Sequence, residues 1–346
     1  MKSINHLGES IPLIVEEDYK PVFLVGMNGS GTTMLLDSFS HHPDLFTFPR
    51  ETRLLPSLIG SLEDFGCLDN DDNFLKLWKH TCTNHVFVRE NKGEPLEIPV
   101  NWRDFPRNLA SVVDAVFRYF STREGKLRWC EKTPQHVQHL PKLHQLFPKA
   151  KFIHIIRDGR DCAVSINRRY KRTPEYSVYR WKKIVQMGRS DGVSLKDYYM
   201  EIRYEDITGS PEFWMRKICK FVDLPFDKII LESRRPMQKK EELPKAGSLA
   251  ISGRLEPNSG NWRSYFTDKQ IARMENIAGD FLEELNYPVI STPGSKDPSI
   301  IQQMIWKWRD FVRQLFGLVF RNNRYRWGLI FHHITGALSQ SNNNRY

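Results

Sequence analysis

The chain has 346 residues, 40% of them hydrophobic and 27% charged, and a formal net charge of +10. That is the composition of a soluble globular chain with ample core, long enough for one large domain or two ordinary ones. The basic balance fits either a generally basic surface or an anionic partner such as a nucleotide, a sulfated or phosphorylated product, an acidic polymer or a membrane surface. No interleaved arginine and aromatic signature is present, so no nucleic-acid partner is expected.

The first twenty residues, MKSINHLGESIPLIVEEDYK, lack the apolar core and small-residue cleavage site of a signal peptide. No uninterrupted apolar run is long enough to span a bilayer. Cys67, Cys82, Cys130, Cys162 and Cys219 are scattered and form no CxxC pair, which argues against a disulfide scaffold or zinc site and for a reducing compartment. The expectation is a cytoplasmic protein.

The apolar run Pro21–Gly26 predicts a buried strand, and Gly29, Ser30 and Gly31 follow it before a helical pattern begins. A strand, a glycine-rich turn and a helix N-terminus form a ready anion site. Gly26 and Gly31 have the spacing of a Walker A loop, but Thr32 replaces the lysine that reaches the β- and γ-phosphates of a nucleoside triphosphate. The loop therefore suits a phosphate-like group held by hydroxyl and backbone N–H donors. Between Ile59 and Leu127 helical insertions are expected to cover the sheet edge, either as the wall of an acceptor pocket or as plain helical packing. Lys151–Ile156 and Tyr199–Tyr204 predict two more strands, with helices before the first, from near Asp161, and around Trp214 and Ile218. Strands alternating with helices indicate an α/β domain with a mostly parallel, P-loop-like sheet, whose ligands sit beyond the carboxyl ends of the strands.

Residues 291–299 read as a polar linker. Beyond it Ile301, Ile305, Trp308, Phe311, Val312, Leu315 and Val319 recur at helical spacing with Lys307, Arg309 and Arg313 among them. This basic amphipathic extension can pack on its own domain, join a second subunit as a homodimer, or lie on a membrane surface. The division expected is a domain over residues 1–290 and a linker with helical extension over 291–346.

A second anion site is predicted at Arg157–Asp161 and along the following helix, where Ser165 and Arg169 share a face. Arg157 and Arg169 with the Ser165 hydroxyl make a phosphate clamp; the alternative is surface pairing of Arg157 and Arg160 with Asp158 and Asp161. The order FLVGMNGSGTT, HPD, ETRLLPSL, CEKTP, RDGRDCAVS with Arg169, RYEDI and SGNWRSYFT resembles the sulfotransferases that use 3′-phosphoadenosine-5′-phosphosulfate (PAPS), most of all the tyrosylprotein branch.

The resemblance implies roles at matching positions. The loop with Gly29, Ser30, Gly31, Thr32 and Thr33 would cradle the 5′-phosphosulfate. Arg157, Ser165 and Arg169 would hold the 3′-phosphate, Tyr204 would lie beside the nucleotide, and Trp262 with Arg263 would close over it. Lys132 would stand at the transferring sulfonate, Glu51 would act as base, with an ion pair to Arg53 or Arg50 as the alternative, and no metal is implied. The implied reaction moves sulfonate from PAPS to a hydroxyl of a carbohydrate, lipid, small phenol or peptide tyrosine and releases adenosine 3′,5′-bisphosphate.

Two departures bear on that reading. The tyrosylprotein branch carries arginine where this chain has Gly29, and Ser and Lys where it has Gly260 and Asn261. A PAPS-binding sensor without turnover and a P-loop kinase or NTPase are the alternatives. His41 and His42 are weaker candidates for the base, with turn or capping roles as the alternative. His136, His139 and His144 read as an ordinary helix face rather than a metal site.

Overall fold

The computed structural model describes residues 20–126, 128–232, 255 and 257–314. β1 (Val22–Gly26) is buried along its whole length because its apolar run has no polar face to offer solvent. Strands of that kind are stable only inside a sheet covered on both sides. The chain continues through α1 (Thr32–Phe39), β2 (Leu45–Thr47), α2 (Leu54–Ser61), α3 (Asp71–Cys82), α4 (His85–Glu90) and α5 (Leu109–Thr122) to β3 (Arg128–Glu131). There follow α6 (Leu140–Leu146), β4 (Lys151–Ile156), α7 (Gly159–Tyr170), α8 (Pro174–Leu195), β5 (Tyr199–Arg203), α9 (Tyr204–Gly209) and α10 (Pro211–Phe221). α11 (Trp262–Tyr265), α12 (Asp268–Glu284) and a helix over residues 300–314 complete the described chain.

The five strands form one sheet in the order β2-β3-β1-β4-β5, every neighbouring pair parallel. Register along the centre pairs Val22 with Cys130 and Lys151, and Gly26 with Ile155. Side chains alternate between two cores, as the strand period requires. Phe23, Val25, Trp129 and Phe152 point to one face with Phe117, Phe147 and Trp181, while Val22, Leu24, Cys130 and Ile153 point to the other with Leu35, Phe39 and Ile218.

The strands predicted at 21–26, 151–156 and 199–204 are present, except that Tyr204 opens α9. β2 and β3 complete the sheet without a matching prediction. Helices over residues 54–122 cover one face of it, with Asn70, Asn84 and Asn108 capping α3, α4 and α5 through backbone N–H groups.

Residues 291–299 carry no helix or strand but are fastened to the domain. Ser291 donates to Glu275 from its backbone N–H (2.8 Å), and Lys182 Nζ donates to Ser295 Oγ (2.8 Å). Leu315 and Val319 lie outside the described residues, as do the first nineteen.

Candidate active site

Parallel strands bring their carboxyl ends to one edge, where β1, β3 and β4 hand over to Met27, Lys132 and Arg157. Gly26, Gly29 and Gly31 have φ of 153°, 90° and 105°, the last two in the left-handed region that favours glycine. A Cβ on Gly29 would lie 2.9 Å from Ser165 Cβ, and one on Gly31 would lie 2.5 Å from the Tyr204 ring. The loop thus sits directly against α7 and α9. Gly31 offers no side-chain cap, so the first-turn N–H groups of α1 at Thr32 and Thr33 are available to an anion. Ser30 is buried, and its hydroxyl has no hydrogen-bond partner among the described residues.

Arg157 is buried at the end of β4. Its guanidinium donates to Gly29 O (3.0 Å) and to Asn258 O and lies 4.4 Å from the Tyr204 ring centroid. Its Nε is buried without a partner among the described residues. Gly29, Ser165, Arg157 and Tyr204 are therefore brought together, with Ser165 half-buried, while Arg169 stands exposed one turn further along α7. An unpaired buried hydroxyl, an unpaired buried guanidinium nitrogen and a side-chain-free cradle fit a ligand bearing phosphate-like groups.

Surface ion pairing is not what the RDGRD stretch does. Arg160 is fully buried and pairs with Asp158 (2.7 Å) and Glu275 while lying 3.7 Å from the Trp262 ring centroid. Asp161 instead accepts from the backbone N–H groups of Gly260 (2.7 Å) and Trp262 (3.1 Å), tying the late loop to α7. Trp262 is buried and Arg263 exposed, with the Arg263 guanidinium 4.2 Å from the indole centroid.

Glu51 and Lys132 meet at the edge beside this loop. Lys132 Nζ stands 2.7 Å from Glu51 Oε1, and Arg53 Nη2 stands 3.5 Å from Glu51 Oε2; Arg50 pairs elsewhere, with Glu90. Behind the pair lies Glu131, a buried carboxyl absent from the sequence-based site. It accepts from Thr52 N (3.2 Å), Thr52 Oγ1 (3.1 Å) and Thr133 Oγ1 (2.6 Å). Its donors are the neighbours of Glu51 and Lys132, so one carboxyl ties the two segments together. Burial pushes Glu131 up to about 7 despite those hydrogen bonds. Burial also holds the neighbouring His136 down to about 3, so the 3.3 Å approach of its Nδ1 to Glu131 Oε2 involves a neutral imidazole. The signal available in the sequence was the carboxylate in EKTP, placed next to a lysine at a strand end.

The other histidine candidates sit away from this edge. His42 lies past the far end of α1, where its Nε2 is 2.8 Å from Pro225 O and its Nδ1 accepts from Asp44 N (3.0 Å), a turn role. Among the described residues no group of three or more His, Cys, Asp and Glu could hold a metal ion. A cavity of about 230 Å³ opens beside the loop, lined by Gly26, Met27, Arg53, Gln135, Arg172 and Arg180 among others. A larger one of about 700 Å³, bordered by Ile59, Leu109 and Leu146, contains none of these groups.

A family model described as the sulfotransferase family matches residues 21–228, more than half of the chain. Among curated relatives, protein-tyrosine sulfotransferase 1 of Danio rerio is 25% identical over 250 residues, covering 70% of this chain and 62% of its own. The Drosophila melanogaster protein-tyrosine sulfotransferase is 27% identical over 231 residues, covering 64% and 42%. Protein-tyrosine sulfotransferase 1 of Homo sapiens is 23% identical over 311 residues, covering 83% and 75%. The chain thus spans 62% and 42% of the first two relatives' lengths. The matched stretch runs from β1 past α10 and takes in the loop, Glu51, Lys132 and the clamp. On that match the chain belongs to the sulfotransferase family.

Proposed function

We propose that the protein is a PAPS-dependent sulfotransferase that transfers sulfonate to a hydroxyl-bearing acceptor, releasing adenosine 3′,5′-bisphosphate. The observation that carries this reading is the Glu51–Lys132 pair at 2.7 Å, set beside a donor-lined loop whose Ser30 hydroxyl is unpartnered. When bound, PAPS supplies a sulfonate on a good leaving group. Ser30, Thr32, Thr33 and the α1 N–H groups hold its 5′ end, and Arg157, Ser165 and Arg169 its 3′-phosphate. Tyr204 and Arg263 flank it, while the buried Trp262 indole, packed on Arg160, anchors the late loop from within.

Glu51 takes the proton of the acceptor hydroxyl at a carboxylate oxygen, help worth about 10²–10⁴-fold in rate. The Lys132 ammonium stabilises negative charge growing on the sulfonate and bridging oxygens, supported by the loop N–H groups. No proton leaves Lys132 in this scheme, and positioning supplies the rest, as in phosphoryl transfer.

For the acceptor we infer the phenol of a peptide tyrosine. The names of the relatives support this, as do Arg53, Arg172 and Arg180 around the cavity beside the loop, which suit an acidic segment. A reducing compartment is supported by the free thiols, four of them buried. The second reading, a sensor of PAPS or its product, is favoured only by Gly29 in place of the branch's arginine. Thermal shifts with adenosine 3′,5′-bisphosphate, set beside ATP and magnesium, test the site: a ligand at about 100 times its Kd stabilises by about 2.7 kcal/mol. Label transfer from PAPS to a tyrosine peptide then separates enzyme from sensor, and a shift with ATP and magnesium alone would refute both.

A further inference from the structure

The helix over residues 300–314 turns its polar side to its own domain. Asp310, 4% exposed, accepts from Thr173 N (2.8 Å) and Thr173 Oγ1 (2.7 Å), Gln303 Nε2 donates to the Tyr179 hydroxyl (3.3 Å), and Trp306 meets the Tyr176 ring. Six apolar residues face away: Ile300, Ile301, Met304, Ile305, Trp308 and Phe311 are 51–76% exposed. At about 100° per residue these six fall on one arc of roughly 140°, centred opposite the side that carries Gln303, Trp306 and Asp310. Lys307 borders the arc on one side and Arg309 on the other, with Arg313 behind Arg309. A helix that had only its own domain to satisfy would bury the apolar arc and expose Asp310.

Single exposed apolar side chains are ordinary, but a contiguous patch rimmed by polar groups marks an interaction surface. An apolar arc with cations along both borders matches a helix lying in a membrane interface, where Lys and Arg stems cover apolar surface and carry their charges to the headgroups. The sequence that follows agrees in charge: from Phe311 to Tyr346 it has five arginines and no acidic residue. A second copy docking through the same face would set these cations against each other, whereas an anionic lipid surface complements them. We propose that this face seats the protein on an anionic membrane surface. Among the described residues no helix is long and apolar enough to cross a membrane.

Flotation of the intact chain with phosphatidylcholine vesicles containing roughly 30% phosphatidylserine, against phosphatidylcholine alone, tests this. Binding to the anionic vesicles is expected, weakening as salt shortens the screening length. Ile305→Glu with Trp308→Glu, and separately Lys307→Glu, Arg309→Glu and Arg313→Glu together, should each reduce binding at least about tenfold with an unchanged melting temperature. Failure of the intact chain to float with anionic vesicles overturns the proposal, and so does full binding by both variants. A dimer in sedimentation that the Ile305→Glu/Trp308→Glu variant dissolves, without vesicle binding, would assign the face to a second copy instead. Neither readout involves nucleotide or turnover, so the result stands apart from the sulfotransferase reading.

Discussion

Lys132 Nζ lies 2.7 Å from Glu51 Oε1, with the lysine side chain 7% exposed and the glutamate side chain 28%. The base candidate and the charge-stabilising cation therefore hold each other in place before any acceptor arrives. In the proposed reaction the acceptor hydroxyl would approach the glutamate carboxylate while the ammonium faces the sulfonate.

Glu51→Gln keeps the shape of the pair and removes the proton acceptor. Turnover with PAPS and a tyrosine peptide should fall by about 10²–10⁴-fold while the affinity for adenosine 3′,5′-bisphosphate stays within about twofold. Wild-type turnover by this variant would take Glu51 out of the mechanism.

Glu131 is a positioning residue, and two substitutions separate that role from bulk stability. Glu131→Ala strands the donors of Thr52 and Thr133 and should cost about 1–3 kcal/mol in denaturant unfolding. Glu131→Gln retains an acceptor and should recover most of that loss. If position matters, the alanine variant also loses kcat with little change in nucleotide affinity, and the glutamine variant regains it.

Gly29 has φ of 90° and Ser165 beside it, so restoring the arginine that the tyrosylprotein branch carries should fail here. Gly29→Arg and Gly29→Ala are both expected to destabilise by about 1–3 kcal/mol and to weaken adenosine 3′,5′-bisphosphate binding. Gly209→Ala, where an added Cβ meets nothing within 4 Å, is the matched control and should change melting little. A stable, more active Gly29→Arg enzyme would show that the loop accommodates the side chain.

Arg157→Lys keeps a charge but loses the fork that reaches Gly29 O and Asn258 O. Isothermal titration should show adenosine 3′,5′-bisphosphate binding at least about tenfold weaker, with ATP affinity less affected. Equal losses for both nucleotides would argue that Arg157 only braces the loop.

His154 is fully buried, shares a 2.6 Å hydrogen bond with the Tyr199 hydroxyl, and is held by burial at about 3 against an ordinary 6.5. The unfolded chain binds a proton there that the fold refuses, so the group's contribution is intact above about pH 6.5 and declines as pH falls toward 3, by about 1.4 kcal/mol per pH unit. Denaturation curves of wild type and His154→Gln should diverge below pH 6.5, the wild type losing stability faster. Parallel curves would mean that His154 is charged in the fold.

What could be read from the sequence followed from local signals. β1, β4 and β5 announce themselves as apolar runs next to turns, and the glycine loop carries its backbone demands in its letters. β2 and β3 do not: three and four residues are too few for a period, and Arg128 and Glu131 give β3 charged ends. Arg160 reads locally as a surface cation beside Asp158, because nothing local reveals Glu275 and Trp262 closing around the pair. Glu131 is hidden in the sequence for the same reason, since its importance lies in Thr52, some eighty residues away in the chain. The terminal helix shows its amphipathic period plainly, yet only the fold reveals that the apolar side points outward.

The strand order also bears on how the protein is made. β1 leaves the ribosome more than a hundred residues ahead of both its neighbours, β3 and β4. Synthesis proceeds at about 5–20 residues per second, so the nascent VFLV segment stays unpaired for on the order of ten seconds. During that interval the most apolar stretch of the sheet is open to chaperones and to other nascent chains. Overproduction in a fast-translating host should therefore favour inclusion bodies, and slower synthesis or a holdase acting on the stretch between β1 and β3 should raise the soluble yield.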